Sequence, residues 1–217
     1  MILNNPGKIK VLLVDDHAVV RAGYRMLLQN SEEIEILEEA DSGEKAYKSY
    51  VALHPDVVVM DISLPGMGGL AAIRRIIARD AEAKILVFSM HEDTVFVDQA
   101  VNAGAKGYIT KSSAPDVLID AILDIARGRT YLDKETAQRL AYQKLRGKDS
   151  PFENLSTREF EICCLLSEGL DTNEIARRLS LSYKTVANYT TQIKNKLNVN
   201  TVAELARLAI RHNLIEP

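Results

Sequence analysis

Residues 55–66, PDVVVMDISLPG, place four apolar residues directly before Asp61, with a Pro-Gly pair shortly after it. A short, continuous apolar run bounded by turn residues is typical of a strand buried on both faces of a parallel sheet. Asp61 would then lie at the carboxyl end of that strand, which is the edge where open α/β sheets bind ligands. Taken alone, Asp61 could equally be a turn-forming aspartate.

A second acidic pair, Asp15-Asp16, follows a similar apolar run at residues 11–14. If both strands are central, three carboxylates meet at one edge of the sheet and repel one another unless a cation lies among them. Hard divalent ions prefer such oxygen ligands. The sequence therefore predicts a Mg²⁺ site formed by Asp15, Asp16 and Asp61, to which the main-chain carbonyl of Ser63 could add a ligand.

Strand and helix patterns alternate five times between residues 10 and 127, which predicts a flavodoxin-like, doubly wound parallel sheet. The predicted strands are 10–15, 35–40, 56–61, 85–89 and 107–110, and the predicted helices are 18–29, 42–54, about 70–79, 93–103 and 114–127. In this fold the hydroxyl of Ser89 and the ammonium of Lys111 join the acids, because each follows or ends a strand. Each residue alone could be an ordinary turn or surface residue.

This set of side chains has a common chemistry. A carboxylate such as Asp61 can act as a nucleophile toward phosphorus, and phosphoryl transfer requires the charge to be neutralised and the oxygens to be held. Lys111 can pair with one phosphoryl oxygen and Ser89 can donate a hydrogen bond to another. We therefore predict that Asp61 is a phosphoryl acceptor.

Charge is distributed unevenly along the 217 residues, whose formal net charge is −3. Residues 1–128 carry 13 basic and 19 acidic residues, whereas residues 175–200 carry five basic residues and no acidic ones. This distribution favours a metal site in the first half and a polyanionic partner for the second, although a basic cluster can also be a solvated helix face. No apolar run is long enough to span a membrane and no signal-peptide pattern is present, so we expect a soluble, cytoplasmic protein without a membrane partner.

The second half follows a linker predicted at 128–153, within which the sequence predicts a helix at 133–145 and a flexible joint at 146–151. Residues 154–217 have a purely helical pattern with four helices, the first of them opened by a capping box formed by Ser156 and Glu159. Two short helices, 172–179 and 183–197, are joined by a tight turn, as in a helix-turn-helix. A small helical bundle without a ligand is the alternative.

The second helix of such a motif enters the major groove of DNA, and its first residues meet base edges. Basic side chains around it suit the phosphates, while Ala187, Asn188 and Thr191 are candidates for the bases. The predicted DNA-binding residues are Arg177, Arg178, Lys184, Thr185, Ala187, Asn188, Thr191 and Lys194.

Residues 10–127 resemble a response-regulator receiver domain through VLLVDDH at 11–17, VVVMDISLPGMGG at 57–69, FSMHED at 88–93 and AGAKGYITK at 103–111. The resemblance implies that Asp61 accepts phosphate from a histidine kinase while Asp15 and Asp16 hold Mg²⁺. It implies that Ser89 and Lys111 contact the phosphoryl group and that Tyr108 moves inward on activation. Ser63 and His91, each two residues beyond a site residue, are expected to tune hydrolysis of the acyl phosphate.

The region 154–217 resembles a LuxR-type DNA-binding domain through LSTRE at 155–159, EGLDTNEIARRLSLSYKTVANY at 168–189 and KNKLNV at 194–199. With the receiver, this implies the NarL/FixJ family, and SPFENLSTRE and TVANY point to its GacA/UvrY-like branch. Many members carry Lys where this chain has Ala187, which affects the recognised DNA sequence. In the family the last helix forms the dimer interface, so the candidates for dimerisation are Leu205, Leu208 and Ala209.

The resulting hypothesis is a transcription regulator, not an enzyme, in which phosphorylation of Asp61 switches homodimerisation and binding to double-stranded promoter DNA. A Mg²⁺-dependent phosphatase with Asp61 as nucleophile is one alternative, but it leaves the helical half unexplained. The other alternative is a DNA-binding protein that does not depend on phosphorylation and keeps the acidic site for structure.

Overall fold

The structure is a computed structural model, and it describes residues 7–145, 150–212 and 214–215. Residues 1–9, which precede the first predicted strand, are predicted to be a loose leader, and most of them lie outside the described residues. Residues 146–149 of the predicted joint also lie outside them.

Within the described residues, six parallel strands form one sheet in the order β2-β1-β3-β4-β5-β6. The first five strands confirm the predicted flavodoxin-like order, in which the chain reverses direction of winding between β1 and β3. The strands are β1 (Ile9–Val14), β2 (Ile34–Ala40), β3 (Val57–Met60), β4 (Ile85–Ser89), β5 (Gly107–Thr110) and β6 (Tyr131–Leu132).

Ten α-helices occur in the described part of the chain, five of them beside the sheet and four in the C-terminal domain. They are α1 (Ala18–Gln29), α2 (Gly43–Leu53), α3 (Gly69–Arg79), α4 (Thr94–Ala103), α5 (Pro115–Ala126), α6 (Lys134–Leu145), α7 (Thr157–Ser167), α8 (Thr172–Arg178), α9 (Tyr183–Leu197) and α10 (Val202–Arg211). The helix α6 connects the two domains.

Burial explains the order of the strands. Every residue of β3 and β4 is buried, as continuous apolar runs covered by helices on both faces should be. The more polar β2 lies at the edge of the sheet. In the paired strands Val14 lies beside Met60, and the main-chain N–H of Asp61 donates to the carbonyl of Val14 at 2.9 Å. The residues that follow β1 and β3 therefore meet at one edge.

The sixth strand lies in the region that the sequence predicted as linker. Tyr131 and Leu132 pair with Gly107 and Tyr108 of β5, so the receiver sheet continues beyond residue 127. A strand of two residues gives no periodic signal, which explains why the sequence did not indicate it.

The C-terminal domain begins with a short 3-10 helix at Pro151–Asn154 and continues with α7 to α10. The predicted capping box is confirmed: Ser156 accepts from the N–H of Glu159, and the Glu159 side chain accepts from the N–H of Ser156. A second capping box, formed by Asp171 and Glu174, opens α8. These helices have the helix-turn-helix arrangement that the sequence predicted.

The two domains pack against each other through α3 and α4 of the receiver and α7 of the second domain. The ring of Phe96 on α4 meets the ring of Phe160 on α7, with centroids 5.1 Å apart. The side chain of Gln99 donates to the carbonyl of Leu155 at 3.1 Å. Among the helices that the structure describes, none has the length and apolar character needed to cross a membrane.

Candidate phosphorylation site and DNA interface

The carboxylate of Asp61 forms a buried ion pair at the edge of the sheet. Lys111, which follows β5, donates through Nζ to Asp61 Oδ2 and to Asp15 Oδ2, both at 2.6 Å. The three side chains are at most 4% exposed. Burial by itself lowers the pKa of Lys111, but the two carboxylates raise it above its ordinary value. The ammonium group therefore holds two acids together in the resting site.

Short turns fix the carboxylates of Asp15 and Asp61. The main-chain N–H of His17 donates to Asp15 Oδ1 at 2.8 Å, and the N–H of Ser63 donates to Asp61 Oδ1 at 3.1 Å. Each acid thus presents one oxygen to its own turn and the other to Lys111. The orientation of both groups follows from the ends of their strands.

The third acid, Asp16, fits a metal ion. Its Oδ1 atom is buried and makes no hydrogen bond with any described residue, although His17 Nδ1 lies 2.9 Å from it. Asp15, Asp16, His17 and Asp61 each offer one ligand atom, and these atoms lie within 4.8 Å of one another. Oxygen-rich groups of this size suit a hard divalent cation. The sequence did not predict His17, although its position directly after the two acids could have indicated it.

The loop after β3 approaches the sheet closely at Gly69, the first residue of α3. Its N–H donates to the carbonyl of Ile62 at 3.2 Å. A Cβ atom at this position would lie 2.0 Å from the carbonyl oxygen of Asp61 and 2.6 Å from the Cα of Ile62. Only glycine therefore allows α3 to begin directly behind the acidic site.

The structure brings Ser89, Tyr108 and His91 together beside this site. The hydroxyl of Ser89 accepts from the N–H of His91 at 3.3 Å, and Tyr108 donates through its hydroxyl to the carbonyl of His91 at 2.7 Å. Tyr108 is fully buried, and this burial raises the pKa of its phenol. The ring of Tyr108 thus already lies inside in this structure, and its repacking on activation stays a prediction.

The side chains of Ser63 and His91 contact each other, with Oγ and Nε2 3.0 Å apart. The imidazole stacks on the ring of Phe96 at a centroid distance of 3.9 Å. Burial lowers the pKa of His91, and Asp61 opposes this shift by less. Of the two residues predicted to tune hydrolysis, Ser63 thus bonds to the Asp61 carboxylate through its N–H, and His91 contacts the side chain of Ser63.

Glu161 of α7 lies against the start of α3. Arg158 donates to its Oε2 at 2.8 Å, while Oε1 is buried and has no hydrogen bond within the part of the chain that the structure describes. A Cβ atom on Gly68 would lie 2.6 Å from that oxygen. Burial raises the pKa of Glu161, and Arg158 and the nearby main chain of Ala71 lower it by less. No local sequence pattern indicated this contact between the domains.

Because the pKa of Glu161 is raised, the folded chain binds its proton more tightly than the unfolded chain. The free energy of unfolding should therefore decrease as the pH rises from the ordinary glutamate range through the raised pKa. Glu161→Gln should remove this component, which urea denaturation at pH 5 and pH 7.5 would measure. Glu135→Gln, at an exposed position of α6, is the control. An unchanged pH dependence in Glu161→Gln would contradict the prediction.

The predicted DNA-binding residues lie on α8 and α9, and they differ in how far their side chains are exposed. Arg177, Arg178, Lys184, Asn188 and Thr191 are exposed, whereas Thr185, Ala187 and Lys194 are half-buried. The hydroxyl of Thr191 donates to the carbonyl of Ala187 at 3.1 Å, and Lys194 donates to the carbonyl of Asn200 at 3.2 Å. Packing of the two domains leaves the basic surface of these helices open.

Two of the three dimerisation candidates are core residues. Leu205 and Ala209 are fully buried within this chain on α10, which packs on α7, and Leu208 is half-buried. Leu205 and Ala209 are therefore wrong as surface contacts, because their apolar face is already covered. The exposed apolar residues of α10 are Val202 and Ile210.

Both halves match known families. Residues 11–123 match the family described as "Response regulator receiver domain", and residues 153–209 match "Bacterial regulatory proteins, luxR family". The chain is a response regulator. Its predicted place in the NarL/FixJ family is confirmed, and the family consists of phosphorylation-controlled, DNA-binding transcription regulators rather than enzymes. Receiver domains use Mg²⁺ at an acidic pocket, and this response regulator has such an acidic cluster.

Relatives of this response regulator match over nearly its full length. The response regulator UvrY of Escherichia coli O6:H1 is 41% identical over 208 residues, which is 95% of each chain. The response regulator GacA of Pseudomonas aeruginosa is 37% identical and covers 96% of this chain and 98% of its own. These matches confirm the GacA/UvrY-like branch. The structure of RcsB from Salmonella enterica serovar Typhimurium has the same fold, with a TM-score of 0.72, 23% identity and coverage of 93% of this chain and 98% of its own.

Proposed function

We propose that Asp61 of this response regulator accepts a phosphoryl group from a cognate histidine kinase and that this change switches dimerisation and promoter binding in the cytoplasm. The observation that carries the proposal is the buried pairing of Lys111 with both Asp61 and Asp15, beside an oxygen of Asp16 that makes no hydrogen bond with the described residues. The single ammonium of Lys111 pairs with two carboxylates and leaves one negative charge uncompensated. That charge and the oxygen of Asp16 suit a metal ion.

In the proposed reaction a carboxylate oxygen of Asp61 attacks phosphorus as the bond from phosphorus to the donor nitrogen breaks, and the electron pair of that bond stays with the nitrogen. When bound, Mg²⁺ supplies neutralisation of the phosphoryl charge. Asp15, Asp16, Asp61 and the main-chain carbonyl of Ser63 would hold it. Lys111 then turns from a carboxylate to a phosphoryl oxygen, and Ser89 donates its hydroxyl to another.

The new charge changes the balance inside the pocket. Phosphorylation exchanges one negative charge for roughly −1.5 to −2 by analogy with other phosphorylated side chains. The phosphoryl group and the Asp15 carboxylate then compete for the ammonium group of Lys111. The switch acts through the segment from His91 to α4. Tyr108 donates to the carbonyl of His91, and α4 packs against the DNA-binding domain.

The DNA-binding role rests on α8 and α9. Arg177, Arg178, Lys184 and Lys194 would contact phosphates, and Asn188 would read a base edge together with Thr185, Ala187 or Thr191. RcsB has been solved bound to promoter DNA in the presence of the phosphomimetic beryllofluoride, and also as two dimers on two parallel DNAs. We extend this mode, a homodimer on double-stranded promoter DNA, to the present chain.

Acetyl phosphate and Mg²⁺ should add one phosphoryl group to the wild-type chain, detected by intact-mass spectrometry, and should strengthen both self-association and promoter binding. Asp61→Ala should abolish all three responses, because it removes the acceptor oxygen. Asp56→Ala is the matched control, since Asp56 is an exposed aspartate that precedes the same strand.

Two results would contradict the proposal. Modification that persists in Asp61→Ala would place the acceptor elsewhere. Phosphorylation at Asp61 without any change in promoter affinity would favour a DNA-binding protein that acts independently of phosphorylation.

A further inference from the structure

A continuous series of ring contacts runs from the DNA-binding domain into the receiver. The ring of Phe160 on α7 meets the edge of Phe96 on α4, with centroids 5.1 Å apart and planes at 79°. Phe96 in turn stacks on His91, with centroids 3.9 Å apart and planes at 12°. His91 therefore contacts the domain interface through a single intervening ring.

The other end of the series reaches the acceptor carboxylate. His91 Nε2 lies 3.0 Å from Ser63 Oγ, and the N–H of Ser63 donates to Asp61 Oδ1. The main chain of His91 is held as well, because its N–H donates to Ser89 and its carbonyl accepts from Tyr108. His91 is thus fixed against the phosphorylation site on one side and against Phe96 on the other.

This path is tightly packed. Phe96, Phe160, Ser89 and Tyr108 are all buried, and close-packed protein interiors transmit strain. A shift of the Phe160 ring would therefore displace Phe96 and, through it, the imidazole of His91.

We infer that Phe160 of the DNA-binding domain is a positioning residue for the phosphoryl chemistry at Asp61, acting through Phe96 and His91. This inference rests on the proposed function of Asp61. The side chains of His91 and Ser63 contact each other beside the carboxylate of Asp61, to which the N–H of Ser63 donates. We expect a tetrahedral group on Asp61 to require that this pair separates, so that packing of the DNA-binding domain opposes phosphorylation.

The coupling is reciprocal at equilibrium: if domain packing opposes a phosphoryl group, the phosphoryl group weakens domain packing by the same free energy. It can be measured with beryllofluoride in the presence of Mg²⁺, followed by fluorine NMR on the full chain. Phe160→Leu should bind this probe about 5-fold more tightly or better, the lower limit of ordinary coupling between sites. His91→Ala should give a similar gain.

A double-mutant cycle separates the ring series from a general loosening of the interface. If Phe160 acts through His91, the double variant should bind beryllofluoride no more tightly than His91→Ala alone. Phe152→Leu is the matched control, because the ring of this buried phenylalanine pairs with His212 and stands outside the series of Phe160, Phe96 and His91. Its affinity for beryllofluoride should stay within about 2-fold of wild type, since it leaves the ring series intact.

Three results would overturn the inference: an unchanged affinity in Phe160→Leu, an equal gain in Phe152→Leu, or additive gains in the double variant. Phe96→Leu breaks the same ring contact from the receiver side and replaces Phe160→Leu if that variant does not fold. A wild-type chain that binds no beryllofluoride would instead contradict the proposed function itself.

Discussion

Lys111→Met should lower the free energy of unfolding by about 3–5 kcal/mol in metal-free buffer, the usual cost of removing one partner of a buried ion pair. The ammonium of Lys111 lies 2.6 Å from Asp15 and from Asp61. Without it, two buried carboxylates face each other with no compensating charge. Added Mg²⁺ should recover part of the loss, and more than it adds to the wild type, because a cation replaces the missing charge.

Urea denaturation with EDTA and with Mg²⁺ measures both effects. Lys106→Met is the matched control, since Lys106 is exposed directly before β5 and Lys111 directly follows it. We expect that control to change stability by no more than about 0.5 kcal/mol. Equal losses in the two variants would show that the pairing of Lys111 with the two acids contributes nothing.

Gly69→Ala should destabilise the receiver by about 3 kcal/mol, at the upper end of the usual cost of overpacking. The added Cβ would lie 2.0 Å from the carbonyl oxygen of Asp61, and this neighbour is main chain that a rotamer change cannot move. Either α3 or the end of β3 must shift. Because the second shift displaces the acceptor carboxylate, phosphorylation by acetyl phosphate should slow by about 10²-fold, the scale of a 1 Å misplacement.

Thermal unfolding and intact-mass kinetics test this prediction. Gly23→Ala is the control, because a Cβ at this position of α1 meets nothing within 4 Å. It should stabilise the chain by about 0.5–1 kcal/mol, as alanine does when it replaces glycine inside a helix. A Gly69→Ala variant with wild-type stability and kinetics would mean that the start of α3 can move away from the site without cost.

The sequence predicted the receiver because each buried strand carries its own local signal. The apolar runs of β1, β3 and β4 end at Asp15, Asp61 and Ser89, and parallel winding brings those ends together without any knowledge of long-range contacts. The polar edge strand β2 was predicted one residue short. The two-residue strand β6 was missed, because its pairing depends on β5 and not on its own pattern.

The rest of the site depends on contacts between distant elements, which a local pattern cannot specify. The apolar face of α10 is the same whether it packs on α7 or on a second chain, so Leu205 and Ala209 were wrongly taken as surface residues. The buried position of the Tyr108 ring depends on its bond to the carbonyl of His91, 17 residues earlier in the chain. The contacts of Phe160 and Glu161 arise only when the two domains meet.

The open basic surface of α8 and α9 has a consequence for how promoters are found. The packed domains leave Arg177, Arg178 and Lys184 exposed. If they contact phosphates as proposed, the unphosphorylated chain would release counterions from any stretch of duplex and would slide or hop along it. Such weak, salt-sensitive, non-specific binding would keep the unphosphorylated protein on the chromosome. The kinase would then phosphorylate molecules that are already bound to DNA near the promoter. The time between the signal and the change in transcription would therefore not include diffusion of the regulator from solution to the chromosome.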